Sequence, residues 1–286
     1  MCTLCHASSY HVQFAALISY NLDRVPLRET GGMTEIHRCP AAVANRLAAE
    51  LAAVADDRLV AVYLHGSAVL GGWVPGRSDI DVLIVAADDV GDATLDSMAD
   101  AIAGVQAEDL PAPCPAPKLE TSIVTAAAAR DPGPPWPFLR HVVTDPSGVT
   151  RVVGPYPGGD RDLLMHYAAC RAAGYNAFGP KPRDLIGPIA REDILAYLAD
   201  ELIWGLASAP ERYGVLNACR ARVYLTAGAS VSKIAGGEAA VQNCTGPADV
   251  ITRALAQQRG TQPDQPPAAD AIAFVEETVA LLRRGE

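Results

Sequence analysis

Two aspartates, a glutamate and a glycine-serine bend are the residues of this 286-residue chain whose types and spacing suit chemistry. The run Leu59-Val60-Ala61-Val62-Tyr63-Leu64 reads as a buried strand and runs into Gly66-Ser67. A Gly/Pro-rich loop follows, then Ser78-Asp79-Ile80-Asp81 and a second apolar run, Val82-Leu83-Ile84-Val85. Residues i and i+2 of a strand share a face, so Asp79 and Asp81 aim both carboxylates one way while Ile80 points into the core. Two carboxylates side by side at the mouth of a sheet repel unless a cation lies between them. A hard divalent ion such as Mg²⁺ suits carboxylate oxygens and substrate phosphates alike. Gly66 has no Cβ and lets the backbone approach a ligand. Ser67 adds a hydroxyl and a backbone N–H, the groups from which phosphate-holding turns are made. Gly-Ser alone is a common turn, and Asp-x-Asp alone a common strand start. Strand, Gly-Ser, loop, Asp-x-Asp and strand in succession form a narrower pattern.

Further on, Lys118-Leu119-Glu120-Thr121-Ser122-Ile123-Val124-Thr125 has the period of a third strand. Leu119, Thr121 and Ile123 fall on one side; Glu120, Ser122 and Val124 fall on the other. A glutamate in a short central strand is costly to bury unless it is paired or binds metal.

These residues carry a resemblance. Leu64-His65-Gly66-Ser67-Ala68-Val69, then Gly71-Gly72 and Ser78-Asp79-Ile80-Asp81, resembles the signature of the nucleotidyltransferase superfamily. Within it, the run is similar to the aminoglycoside adenylyltransferases that modify streptomycin and spectinomycin. Residues 179–185, Tyr213-Gly214-Val215-Leu216-Asn217-Ala218-Cys219-Arg220 and Ser230-Val231-Ser232-Lys233 resemble the helical C-terminal domain of the same family. The likeness runs from about residue 42 to 277 and is thin between 130 and 160.

The resemblance implies ATP- and Mg²⁺-dependent transfer of an adenylyl group to a hydroxyl of an aminoglycoside or aminocyclitol antibiotic, conferring resistance. Asp79 and Asp81 would hold two Mg²⁺ ions, with Glu120 sharing one and acting as the catalytic base. Gly66, Ser67 and Ser78 would hold the nucleotide, and Arg220 and Lys233 would reach its phosphates from the second domain. The acceptor site is less legible. Trp136 reads first as a packed aromatic and second as a ring that stacks on a base or sugar, and Glu201 and Glu211, with Asp200, are acids expected near the inter-domain face. Family members that accept streptomycin carry a tryptophan and an aspartate that this sequence does not obviously supply. Residues 204–214 hold Glu211 as their only acid, which favours spectinomycin. The alternative is the same chemistry on another small-molecule or protein hydroxyl, of natural-product tailoring or antitoxin type.

The elements that must position these groups divide into an N-terminal extension (1–33), a nucleotidyltransferase domain (34–155) and a helical C-terminal domain (156–286). The expected fold is α+β: a short mixed sheet with helices, followed by a helical bundle. Val43, Leu47, Leu51 and Val54 predict a helix over 40–55, and Leu95, Met98, Ile102 and Val105 another over 94–105. Pro111, Pro113, Pro115 and Pro117 mark a loop, and the Pro/Gly-rich stretch 130–159 reads as the connection between domains. Helices are predicted near 163–174, over 191–206, 213–227, 236–255 and 267–284. Met33, followed by Thr34 as an N-cap, reads as an alternative natural start.

Bulk properties fit a cationic acceptor. The net charge is −10, which disfavours nucleic acid and steers polycations inward. No stretch of eighteen apolar residues and no export signal is visible, so a cytoplasmic protein without membrane contact is expected; a monomer is the further expectation. The seven cysteines are scattered and odd in number, as expected of reduced thiols; Cys2-x-x-Cys5-His6 matches a haem-attachment pattern by chance.

Overall fold

The computed structural model describes residues 35–105, 116–154 and 158–285. Met33, the Cys2-x-x-Cys5-His6 run and the first three of the four alternating prolines lie outside those residues. The fold is α+β, built on a mixed six-stranded sheet in the order β5-β4-β3-β2-β1-β6. Strand β1 (Leu59–His65) pairs antiparallel with β2 (Ile80–Ala86), and β2 pairs parallel with β3 (Leu119–Thr125). Both faces of these three strands are covered, which is why their sequences are near-continuous apolar runs rather than alternating ones.

One face carries α1 (Glu35–Ala55) and α2 (Asp92–Gly104), which bury Leu47, Leu51, Met98 and Ile102 against Val62, Val82 and Ile84. Helix α1 begins earlier than the predicted residue 40 and carries Pro40 within it. The other face, with Tyr63, Leu83, Val85 and Val124, is covered by α3 (Ala126–Arg130) and α4 (Leu163–Ala173). Asp79, Asp81 and Glu120 share the parity of this second face, at the end of the sheet that α4 leaves open.

Three departures from the sequence reading stand out. The connection 130–159 contains a hairpin, β4 (Arg140–Asp145) and β5 (Gly148–Val153), closed by the two residues Pro146 and Ser147. Arg140 and His141 on β4 mask its alternation. A sixth strand, β6 (Tyr175–Phe178), returns from the stretch expected to be helical and pairs with the outer edge of β1. The helix predicted over 236–255 is two helices, because Gly246-Pro247 cannot continue one.

The remaining helices are α5 (Pro182–Leu185), α6 (Arg191–Ser208), α7 (Glu211–Ala227), α8 (Lys233–Gln242), α9 (Ala248–Gln258) and α10 (Ala269–Arg284). They close round Leu202, Leu216, Cys219, Ile251, Phe274 and Val275. No described helix is long and apolar enough to cross a membrane. Cys170 and Cys219 are buried thiols, but Cys39 is disulfide-bonded, against the all-thiol expectation. An odd count does not decide which pairs come within bonding reach.

Two contacts tie the helical part to the loop between β1 and β2. Arg77, from the loop between β1 and β2, and Arg212, from α7, both reach Asp264 Oδ1 at 2.7 Å. Gly72 lies so close to Ser232 that a Cβ there would meet the serine Cβ at 2.3 Å. Ser232 is in turn the N-cap of α8, its Oγ accepting from Ala235 N–H at 3.1 Å.

Glu211 is the ionic centre of the helical part. It is 1% exposed and accepts from Arg253 Nε at 2.7 Å, Ala268 N–H at 3.1 Å and Gln257 Nε2 at 3.3 Å. Burial alone would raise its carboxyl, but Arg253 and the other donors outweigh burial and hold it below the usual range. Removing one partner of a buried pair strands the other. Glu211→Ala should therefore cost about 3 kcal/mol of stability, read as a lowered urea midpoint with an unchanged slope.

Candidate active site

Strand β1 ends at His65, and Gly66 turns the chain with φ +68°. The turn is closed by Leu70 N–H donating to Gly66 O at 3.2 Å and Gly72 N–H donating to Ser67 O at 3.1 Å. A side chain at Gly66 would place its Cβ 2.2 Å from Asp81 Oδ2, so only glycine lets that carboxylate lie flat against the bend. Before β2, Ser78 Oγ accepts from Val74 N–H at 3.0 Å and Ser78 N–H donates to Val74 O at 2.9 Å. That closed loop delivers Asp79 to the mouth of the sheet.

Register then brings the acids together. Asp81 lies opposite His65 on β1 and opposite Glu120 on β3. Burial, then Glu120 and then Asp79, push the Asp81 carboxyl up to about 7. Asp79 is also raised, chiefly by burial, with the Lys118 ammonium opposing. Lys118 Nζ lies 3.5 Å from Asp79 Oδ2 and donates to Glu120 Oε1. Burial would lower that ammonium, but Glu120 and Asp79 outweigh it and hold it above its ordinary range. Among the described residues, no three His, Cys, Asp or Glu side chains close on a point as ligands of one ion. Lys118 standing between Asp79 and Glu120 is a physical reason for that.

The opposite wall comes from α4, α6, α7 and α8, and the two walls bound a cavity of about 450 Å³. Lys233, the first residue of α8, sets its Nζ 4.2 Å from the centre of the Tyr213 ring. Burial, followed by Arg220 and Arg212, lowers its ammonium to about 8. Arg220 is braced by Val231 O at 2.8 Å and Asn217 Oδ1 at 3.0 Å. Tyr197 donates to Asp162 Oδ1 at 2.9 Å, and Tyr213 donates to Glu201. Trp204, 52% exposed, meets the Tyr213 ring edge-on at 5.7 Å. The His65 and His166 rings meet at a 40° tilt with centroids 4.7 Å apart, and burial lowers the pKa of both.

Of the residues expected from sequence, the cavity gathers Gly66, Ser67, Ser78, Asp79, Asp81, Glu120, Glu201, Arg220 and Lys233. It does not gather Trp136 or Glu211. Trp136 is packed in the core beneath the sheet with Phe138 and Leu163, which leaves its ring no cavity to face. Glu211 is consumed by Arg253 inside the bundle. Asp200 is an exposed partner of Arg161. Sequence reasoning passed over Lys118, Asp162, His166, Tyr197, Trp204 and Tyr213. A signal existed for some of them. Lys118 is two residues before Glu120 and so on its strand face. Tyr197, Glu201 and Trp204 stand at i, i+4 and i+7 of α6, one helical stripe.

Known proteins match both parts of the chain. A model of the nucleotidyltransferase domain matches residues 50–112, ending short of the Glu120 strand. A model of the C-terminal domain of aminoglycoside adenylyltransferase matches residues 184–283. No curated protein matches the chain. Among solved structures, the spectinomycin adenyltransferase AAD(9) from Enterococcus faecialis, crystallised with ATP and spectinomycin, superposes with a TM-score of 0.61. The two are 15% identical, and the match covers 84% of this chain and 98% of that one, so what they share is the fold. With a nucleotidyltransferase domain followed in order by an adenylyltransferase-type helical domain, the chain belongs to the aminoglycoside nucleotidyltransferases and is a nucleotidyltransferase enzyme.

Proposed function

We propose that this enzyme is an ATP- and Mg²⁺-dependent O-adenylyltransferase that modifies a hydroxyl of an aminocyclitol antibiotic, spectinomycin in preference to streptomycin, and so confers resistance. The observation that carries the proposal is a single cavity with Asp79, Asp81 and Glu120 on one wall and Arg220 and Lys233 on the other. It works as a monomer in the cytoplasm, where ATP is made. It divides into a nucleotidyltransferase domain (34–155) and a helical domain (156–286), with β6 of the latter completing the sheet and α4 covering one of its faces.

The residues fit a divalent cation. A half-buried carboxylate pushed up to about 7 beside two other acids is a group that a hard cation would relieve. Two Mg²⁺ ions at Asp79 and Asp81, with Glu120 sharing one, would supply charge stabilisation for the attacking and leaving oxygens. The chain's own groups do the rest. Gly66, Ser67 and Ser78 hold the triphosphate against the bend. Glu120 takes the proton of the acceptor hydroxyl, whose pKa lies far above neutrality, as its oxygen bonds to the α-phosphorus. The α,β-bridging bond breaks, and pyrophosphate leaves with its electron pair toward Arg220 and Lys233.

The acceptor lies against Asp162, Glu201 and the exposed face of Trp204. Two carboxylates beside an aromatic ring suit a compact diamine such as spectinomycin. The ligands of the AAD(9) crystal structure are consistent with both substrates.

The direct test is incubation with ATP, Mg²⁺ and each drug, following pyrophosphate release and drug mass. A gain of one AMP on spectinomycin and none on streptomycin is expected. Modification of streptomycin alone overturns the preference, and absence of pyrophosphate with any hydroxylated acceptor overturns the reaction. Glu120→Ala should lower kcat by about 10²–10⁴ while ATP binding by calorimetry persists. A lysine lowered to about 8 is charged below that pH and neutral above it, so kcat/KM for ATP should fall as pH rises through about 8. In Lys233→Arg that alkaline limb should vanish, because guanidinium stays charged.

A further inference from the structure

Among the described residues, Lys118 is the one cation on the acidic wall of the cavity close enough to bond its carboxylates. Three facts fix it there. Its backbone is held by Ile80 N–H donating to Lys118 O at 3.0 Å, which ties the start of β3 to the start of β2. Strand parity puts its side chain on the same face as Glu120. Its Nζ contacts Glu120 Oε1 and lies 3.5 Å from Asp79 Oδ2. Asp81, in contrast, has no ion pair with Lys118 and interacts with it only through space.

A divalent ion and an ammonium compete for the charge of the same carboxylates, and each oxygen held by the ammonium is one fewer for the ion. Mg²⁺ ligates oxygen at about 2.0–2.1 Å and demands near-octahedral geometry, so it cannot share an oxygen lone pair with an N–H donor. An ordinary surface pair would be worth little. This one joins two half-buried acids that crowd a third, where like-charge repulsion is greatest.

We propose, resting on the metal-dependent reading above, that Lys118 competes with the divalent ion for Asp79 and Glu120. Its ammonium keeps Glu120 off the ion, and displacement of Lys118 by an ion arriving with nucleotide is what hands Glu120 to the metal site and to the acceptor hydroxyl. Lys118 is thus a positioning residue that makes ion binding and base exposure one event. Its consequence is weak divalent binding by the protein alone and strong binding in the presence of ATP.

The test is Mn²⁺ binding to the full chain without nucleotide, read from the paramagnetic resonance of free Mn²⁺. Lys118→Met should bind Mn²⁺ at least about tenfold more tightly than wild type, since it removes a repelling charge with its hydrogen bond to Glu120 and its ion pair with Asp79. Lys118→Arg should not tighten binding, because it keeps the cation. The sharper readout is a double-mutant cycle. Glu120→Gln should weaken Mn²⁺ binding in the Lys118→Met background and leave it nearly unchanged in wild type. Equal affinities of wild type and Lys118→Met, or an equal loss from Glu120→Gln in both backgrounds, overturn the competition while leaving the proposed reaction standing. Absence of Mn²⁺ binding by every variant, with and without a non-hydrolysable ATP analogue, overturns the metal-dependent reaction itself.

Discussion

The crowding of one carboxylate governs this structure. Asp81 is pressed against the bare Cα of Gly66, faces Glu120 across the parallel pair, and shares its strand face with Asp79. Three negative charges in a half-dry corner cost free energy in the fold, and only a chain with other reasons to hold that corner together keeps them there. Those reasons are visible. β1, β2 and β3 are sealed on both faces, the Val74–Ser78 loop is tied by two hydrogen bonds, and the Gly66 turn by two more. The stability of the sheet is what allows the acids to stay unrelaxed.

The opposite wall follows a different logic. Arg220 and Lys233 are half-buried cations, and among the described residues neither has a carboxylate as a direct ion-pair partner. Arg220 is braced by a carbonyl and an amide, and Lys233 by an aromatic face. Side chains held in this way stay aimed without being neutralised, which leaves their charge for an incoming anion. Tyr197 and Tyr213 do the complementary thing for Asp162 and Glu201, orienting carboxylates with hydroxyls instead of with cations. The cavity thus carries positive charge for phosphates and negative charge for an amine-bearing acceptor within about 450 Å³.

Much of this was legible from residue types and spacing. The period of two placed Asp79, Asp81 and Glu120 on common faces once their strands were recognised, because parity depends on local geometry alone. The pairing of Asp81 with Glu120 was not derivable from pattern, since it depends on a crossover through α2 and on register. Glu211 as a substrate group fails, and Trp136 stood between two readings of which the packed one holds, for one reason: an acid or an aromatic looks the same in sequence whether it faces a ligand or a neighbour. For Glu211 the deciding partner is Arg253, 42 residues away. The β4–β5 hairpin and β6 were missed because short, half-polar strands carry almost no periodic signal. The break between α8 and α9 had a signal in Gly246-Pro247 that the apolar pattern around it obscured.

The contact between Gly72 and Ser232 has a mechanical meaning. One hydrogen atom is the whole clearance there, and the same serine begins the helix whose first residue is Lys233. The glycine-rich bend and the start of that helix are therefore packed with no room for a side chain between them. Any larger residue at position 72 would have to displace Ser232, and with it the cap of the helix that carries Lys233.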